Sequence, residues 1–284
     1  YAAKSQIAHH GFDADEGLLL VAPRDGEATV RQEDVDAALD EHGNEIALVL
    51  LAGVNFFTGQ LFDISAVTAA AQKRGCNVGI DLAHAIGNVP LRLHDWDVDF
   101  AVWCSYKYLN SGPGAVGGAF VHERHATDTT LPRLAGWWGN DPATRFRMHL
   151  EPEFVPVQSA DAWAVSNPPI FSLTPLRASL AIFDEAGGME ALREKSVQLT
   201  GYLEYLLDRI GCAQFTVITP REPGARGSQL SILAHDNPKE LFANLEASGV
   251  KCDFREPNVI RAAPTALYNS FHEVWRFAQL LARH

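Results

Sequence analysis

Two short stretches carry the residue types best suited to chemistry. Gly79-Ile80-Asp81-Leu82-Ala83-His84-Ala85 sets a carboxylate and an imidazole just past a short apolar run. Ser105-Tyr106-Lys107-Tyr108 sets a lysine just past another, 26 residues after Asp81. In an open parallel sheet, ligands bind outside the carboxyl ends of the strands. An acid and a lysine delivered there by neighbouring strands match what pyridoxal phosphate needs: an amine to condense with its aldehyde and a carboxylate to keep its ring nitrogen protonated. A lone lysine at a strand end is ordinarily a solvent-facing charge, and a lone aspartate an ordinary turn or capping acid. The pair, each placed just after an apolar strand, shifts the reading to a cofactor site. His84 stays open between a contact to the cofactor ring or its phenolic oxygen and a satisfied core histidine. Tyr106 stays open between a packing aromatic and a hydroxyl that meets a phosphate beside the lysine.

The surrounding pattern predicts the elements that position these residues. Residues 1–30 read as loop, with a turn at Pro23-Arg24-Asp25-Gly26. Thr29–His42 reads as a helix with Val35, Ala38 and Leu39 on one face, ended by Gly43-Asn44. Ile46–Ala52 is a continuous apolar run of buried-strand length, followed by a loop from Gly53 to Gly59. Asp63 caps a helix that runs through Lys73 to a stop at Gly75. Strands follow at Asn77–Ile80, Asp99–Cys104 and Ala115–His122. This is the strand–helix–strand rhythm of an α/β domain. Residues 123–170 are irregular and rich in Trp, Pro and Arg, a character often found in functional segments.

From Pro175 the pattern becomes α+β. Helices are expected at Leu176–Ala186 and Met189–Ile210, broken at Gly187-Gly188. Strands follow at Phe215–Ile218 and Gln229–Leu233, then a helix at Pro238–Ser248, a strand pair around Val250–Ala262 and a last helix from Ser270. The expected fold is therefore α/β, with a mainly parallel sheet in residues 1–170 and a smaller α+β domain in residues 171–284, the boundary falling near Asn167–Pro175.

Several tempting motifs fail on context. Gly112-Pro113-Gly114-Ala115-Val116-Gly117 fits G-x-G-x-x-G by letter but precedes a strand-like segment and opens no helix, so it is no dinucleotide fingerprint. His122-Glu123-Arg124-His125 lacks the spacing by which two histidines face one zinc ion, and no metal is expected. Arg261 ends an apolar run. Its guanidinium suits a substrate carboxylate; the plain alternative is a surface ion pair, and Arg255 is a competitor. Trp137-Trp138, flanked by glycines, cannot both face one core comfortably, so one is expected to meet a ligand or a partner chain.

Composition narrows the classes. The 284 residues carry a net charge of −12 with no basic run, which speaks against a nucleic-acid or anionic-membrane partner. Cys76, Cys104, Cys212 and Cys252 are scattered and read as buried free thiols of a reducing cytosol, so a cytoplasmic location is expected. The chain opens at Tyr1 with no signal or targeting sequence, and no apolar run has transmembrane length.

Longer blocks carry a family resemblance. They include Phe57-Thr58-Gly59-Gln60, Asp81 through Asn88, Leu93-His94-Asp95-Trp96, Trp103 through Asn110, Gly118-Ala119-Phe120, Ser166 through Ile170, Leu199 through Leu206 and Leu267 through His272. In these the chain resembles kynureninase, a fold-type I pyridoxal phosphate enzyme related to class V aminotransferases. The resemblance implies hydrolysis of L-kynurenine or its 3-hydroxy form to anthranilate or 3-hydroxyanthranilate and L-alanine, in tryptophan catabolism and NAD biosynthesis. It implies that Lys107 carries the cofactor and shuttles a proton, that Asp81 pairs with the ring nitrogen, and that His84 lies against the cofactor. Tyr106 would bind the phosphate and is the candidate base for the hydration step. Trp137 and Asn167 would reach the neighbouring subunit's site in a homodimer, and Arg261 would hold the substrate's α-carboxylate. Ala52 stands where the family often has serine. The resemblance also implies a segment before Tyr1 that carries the first strand, the phosphate-cradling helix and the aromatic stacked on the ring, which makes the chain the C-terminal two-thirds of such an enzyme.

Three other readings are weighed against this one. A cysteine desulfurase of the same fold would need a reactive cysteine on a flexible loop. A non-catalytic fragment would form no adduct with added cofactor. A dehydrogenase is disfavoured by the misplaced glycine motif.

Overall fold

The computed structural model describes residues 1–211 and 214–283. Apolar runs at β1 (Leu48–Ala52), β2 (Asn77–Asp81), β3 (Phe100–Cys104) and β4 (Gly117–Val121) form one sheet in that order. β1, β2 and β3 run parallel, and β4 closes the edge antiparallel. Because side chains alternate along a strand, one face presents Val49, Leu51, Val78, Ile80, Ala101, Trp103 and Phe120 to a core shared with Val35, Leu39, Val67 and Ala71. The latter come from helices α2 (Gln32–His42) and α3 (Ile64–Gln72), and the Asp63 carboxylate caps α3 by accepting the Ala66 N–H at 2.9 Å. The opposite face is bare: Leu48, Leu50 and Val102 are 44%, 53% and 43% exposed.

After the short α4 (Glu123–Ala126) and the irregular segment, α5 (Ile170–Glu185) and α6 (Gly188–Ile210) meet at Gly187 and Gly188, both in the left-handed region (φ 89° and 76°), which suits glycine. The second sheet is antiparallel in the order β5 (Phe215–Val217), β6 (Leu230–Ala234), β8 (Val259–Ala262), β7 (Asp253–Arg255). Leu230, Ile232 and Ile260 turn one of its faces onto Leu199, Leu203 and Leu207 of α6, Leu245 of α7 (Pro238–Ala247) and Leu281 of α8 (Phe271–Leu281). A capping box between Ser270 and Glu273 starts α8.

The sequence-based expectations need adjusting at four places. Ala2–His9 is a helix, α1, and not loop; it buries no residue, so no apolar periodicity marks it. α2 begins at Gln32 because Val30 is held extended by Gln60, whose side-chain amide donates to the Val30 carbonyl and accepts its N–H. α5 begins at Ile170 and tolerates Pro175 near its start, giving up one hydrogen bond to do so. Of the cysteines, Cys76 is buried whereas Cys104 and Cys252 are only half-buried; these three are free thiols, and Cys212 lies outside the described residues. Among the described residues, no helix is long and apolar enough to cross a membrane.

Candidate active site

Parallel pairing brings the carboxyl ends of β1, β2 and β3 to one edge, with Asp81 in register between Ala52 and Val102. The chain turns at once: Asp81 Oδ1 accepts the Ala83 N–H at 2.8 Å, and the N–H groups of Ala85 and Ile86 both return to the Leu82 carbonyl. Leu82 and Ala85 are fully buried, and a Cβ on Gly53 would sit only 3.0 Å from that of Ala85, so the turn is clamped against the loop after β1. The turn carries His84 over the strand ends.

Two rings lie beside His84, and the charges of Lys107, Arg261, Asp81 and, most weakly, Arg255 act on it. Its ring lies 6.4 Å from that of Phe56 and 6.2 Å from that of Tyr108. Its Nδ1 is buried with no hydrogen-bond partner among the described residues. Burial, reinforced by the positive charges of Lys107 and Arg261, pulls its pKa down to about 4 against a weaker opposing pull from Asp81. The imidazole is thus neutral at physiological pH, in cationic surroundings within an acidic chain.

Lys107 stands in a turn closed by the Asn110 N–H on the Lys107 carbonyl (2.9 Å) and the Ser111 N–H on the Ser105 carbonyl (3.1 Å). Gly112 and Gly114, both at φ near 80°, then return the chain to β4, so the glycine run serves the lysine loop. The amine lies 5.7 Å from the Tyr106 ring centroid. Tyr106 is exposed, and a hydrogen bond with Cys104 raises its pKa. Burial likewise raises that of Tyr108.

The second sheet supplies the remaining wall. Arg261 sits opposite Asp253 in the β7–β8 register; its Nε donates to Asp253 Oδ2 at 2.7 Å, its Nη2 donates to the same oxygen, and its Nη1 donates to the Phe56 carbonyl at 2.6 Å. Arg255 also reaches Asp253, but its side chain is 45% exposed against 10% for Arg261.

Several residues that tie the two sheets together went unmarked at the sequence level. Gln229 Nε2 donates to the Phe56 carbonyl (3.1 Å), Ser231 Oγ to the Phe57 carbonyl (2.5 Å) and Thr219 Oγ1 to the Thr58 carbonyl (2.5 Å). Asn88, 3% exposed, donates to the His84 carbonyl (2.8 Å) and accepts from the Ser228 N–H (2.9 Å) and hydroxyl (2.8 Å). The available signal was polar side chains inside apolar runs: Gln229 and Ser231 are buried where a strand was expected.

Trp137 and Asn167 share the irregular lobe and are not drawn to His84 by any contact within the described chain. Trp137 packs edge-on against Trp138 (5.3 Å) and near Phe146 (5.8 Å), and Arg145 covers Trp138 at 4.3 Å. A Cβ on Gly136 would strike the Val165 backbone, so the strip before Trp137 runs against the strip before Asn167. Leu134, Phe146, Val165 and Phe171 leave this lobe's surface strongly apolar. Elsewhere, Arg124 and His125 both bind Asp99, the histidine at 2.5 Å, which gives the His122–His125 run a structural role.

Taken together, the strand-end groups offer a carboxylate for a protonated ring nitrogen, a neutral imidazole and an amine able to condense with an aldehyde, faced by a guanidinium. Residues 192–281 match the family model described as the kynureninase C-terminal domain. The whole chain is 55% identical to kynureninase of Myxococcus xanthus, covering 100% of this chain and 66% of that protein. It is 50% identical to kynureninase of Flavobacterium johnsoniae, covering 100% of this chain and 67% of that one. The chain thus spans about two thirds of the length of these relatives. A cysteine desulfurase from Thermococcus onnurineus NA1 superposes with a TM-score of 0.78 at 16% identity, over 98% of this chain and 68% of that one. That likeness shows the fold alone, and the fold expected from the sequence is borne out by it.

Proposed function

Because this chain belongs to the kynureninase family, we propose that it forms part of a pyridoxal phosphate-dependent hydrolase acting on a carbon–carbon bond. The substrate is L-kynurenine or 3-hydroxykynurenine; with one water consumed, the products are anthranilate or 3-hydroxyanthranilate and L-alanine. The observation that carries this reading is the half-buried His84 imidazole, which feels the charges of Lys107, Arg261 and Asp81 and whose buried Nδ1 has no partner among the described residues. An orphaned buried nitrogen beside an amine and a carboxylate fits a flat heteroaromatic ligand, and the cationic surroundings suit its negative charge.

When bound, pyridoxal phosphate supplies a protonated ring that accepts the electrons released at the substrate's α-carbon. In this reading Asp81 faces the ring nitrogen and holds its proton, using the carboxylate that its own turn has already fixed. Lys107 would hold the cofactor through its amine and would carry the substrate's α-proton. His84, neutral at working pH, lies against the ring or its phenolic oxygen without adding charge. Tyr106, whose raised pKa keeps its proton in place, donates to the phosphate. The same hydroxyl is our assignment for the base in the hydration step, where it would take a proton from water while handing its own to the phosphate oxygen it donates to. Arg261 holds the α-carboxylate. Residues 1–170 form the cofactor-holding part of the chain and residues 171–284 the smaller C-terminal part. The exposed apolar lobe around Trp137 and Asn167 serves a second copy, placing these two residues at the neighbouring site of a homodimer.

Two of the three described thiols speak against the cysteine desulfurase reading. Cys76 is buried, and burial pushes Cys252 up to about 11, the reverse of an activated nucleophile. Borohydride reduction of the full-length protein saturated with pyridoxal phosphate, followed by peptide mapping, is expected to leave a pyridoxyl group on the Lys107 peptide. An unmodified Lys107 peptide would overturn the reading.

A further inference from the structure

We propose that Asp253 is the positioning residue that turns Arg261 towards the substrate carboxylate. The proposal rests on the reading that Arg261 binds that carboxylate, and it concerns how this arginine, and not Arg255, comes to do so.

A guanidinium carries five N–H donors in a rigid plane. Asp253 Oδ2 occupies one whole edge, taking the Nε donor at 2.7 Å and one Nη2 donor. The Phe56 carbonyl takes one Nη1 donor at 2.6 Å. One N–H remains on each terminal nitrogen, and a pair of donors on adjacent nitrogens is what a carboxylate accepts in bidentate fashion. Arg261 therefore keeps one unused donor on each terminal nitrogen while its Nε edge is fixed, and it pays little of the ordering cost that a loose arginine would meet on binding.

The selection between the two arginines follows from the strands. Asp253 faces Arg261 directly across the β7–β8 ladder, whereas Arg255 pairs with Val259 two residues further on. Arg255 reaches the same Oδ2 through Nε alone at 3.0 Å and stays largely in solvent. Arg261 is also the one bonded to the loop that carries Phe56, whose ring lies beside His84. Asp253 thus fixes the arginine whose Nη1 bonds the Phe56 loop beside the strand-end site.

The test compares Arg261→Ala, Asp253→Ala, Asp253→Asn and the Arg261→Ala/Asp253→Ala double variant in the full-length holoenzyme. The readouts are kcat and KM for L-kynurenine and the inhibition constant of its decarboxylated amine counterpart, which lacks the carboxylate. Loss of a charge-assisted contact is expected to raise KM about 10- to 100-fold in Asp253→Ala, with kcat within about threefold. Asp253→Asn, which keeps a neutral acceptor oxygen and the side chain's shape, should fall between Asp253→Ala and the parent. The amine should inhibit all variants equally, and the double variant should be no worse than Arg261→Ala. The proposal is overturned if Asp253→Asn and Asp253→Ala leave KM unchanged, if they weaken the amine as much as the substrate, or if the two alanine effects add in full. If Arg261→Ala itself leaves KM unchanged, the carboxylate assignment falls first, and this outcome is distinct from failure at Asp253 alone.

Discussion

In the first sheet the groups that face the site stand at strand ends, whereas in the second Arg261 stands within a strand, on a face. Asp81 and Lys107 are placed by turns whose hydrogen bonds are largely backbone: Ala85 and Ile86 to Leu82, Asn110 to Lys107, Ser111 to Ser105. Arg261 is placed by side chains and by a distant loop, through Asp253 and the Phe56 carbonyl. The sheets differ in their cover too. The first packs one apolar face and leaves Leu48, Leu50 and Val102 bare, although parallel sheets are generally covered on both faces. The second packs Ile232 and Ile260 onto helices and turns the polar Ser231 and Arg261 towards the first. A strand-end site is local and tolerates change on the far side of the sheet. A face site depends on how accurately the two sheets are held together.

Removing Lys107 tests the strand-end side most severely. Lys107→Ala is expected to lower turnover by about 10⁴-fold or more, since both the covalent anchor and the proton carrier are lost. Turnover retained without an added amine would refute the assignment. Asn88→Ala tests the join between the sheets. It strips partners from the Ser228 N–H and hydroxyl and from the His84 carbonyl, all at a buried point, and should cost about 2–4 kcal/mol in denaturant unfolding. An unchanged unfolding midpoint would mean that the sheets are held together elsewhere.

His84 gives a smaller, pH-dependent signature. Its folded-state pKa of about 4 lies below the ordinary 6.5, so the unfolded chain binds the proton more readily. This group's contribution is therefore complete above pH 6.5 and is lost as the pH falls towards 4. Partial exposure limits the effect to about 1–2 kcal/mol. His84→Gln should flatten the stability profile across that interval; a profile as steep as the parent's would show that the ring titrates normally. Smallest is Gln229→Ala. It loosens the Phe56 carbonyl but leaves the Arg261 bond to it, and should raise KM about two- to fivefold with little change in kcat. A larger effect than that of Asp253→Ala would place the control of the Phe56 loop at Gln229, just before β6, instead of in β7.

The readable part of the site is the part set by local chain. A polar residue immediately after an apolar run of strand length must lie at a strand end, which is why Asp81, His84 and Lys107 could be picked out and their turns anticipated. α1 escaped notice because a helix that buries nothing has no apolar stripe to detect. Thr29–Arg31 was assigned to a helix because nothing nearby shows that Gln60 holds Val30 extended.

The strand–helix rhythm, the two groups of strands and the placing of Asp81, His84 and Lys107 after strands are legible in the chain, because strand periodicity and turn chemistry act within a few residues. Packing settles that Arg261 is more buried than Arg255, that Asp253 and the Phe56 carbonyl hold its guanidinium, and that Asn88 ties the His84 turn to Ser228. These are contacts between residues far apart in the chain, formed where one sheet's polar face meets another's strand ends. Periodicity within a strand can place a side chain on a face, but what that face meets is settled only when the sheets pack.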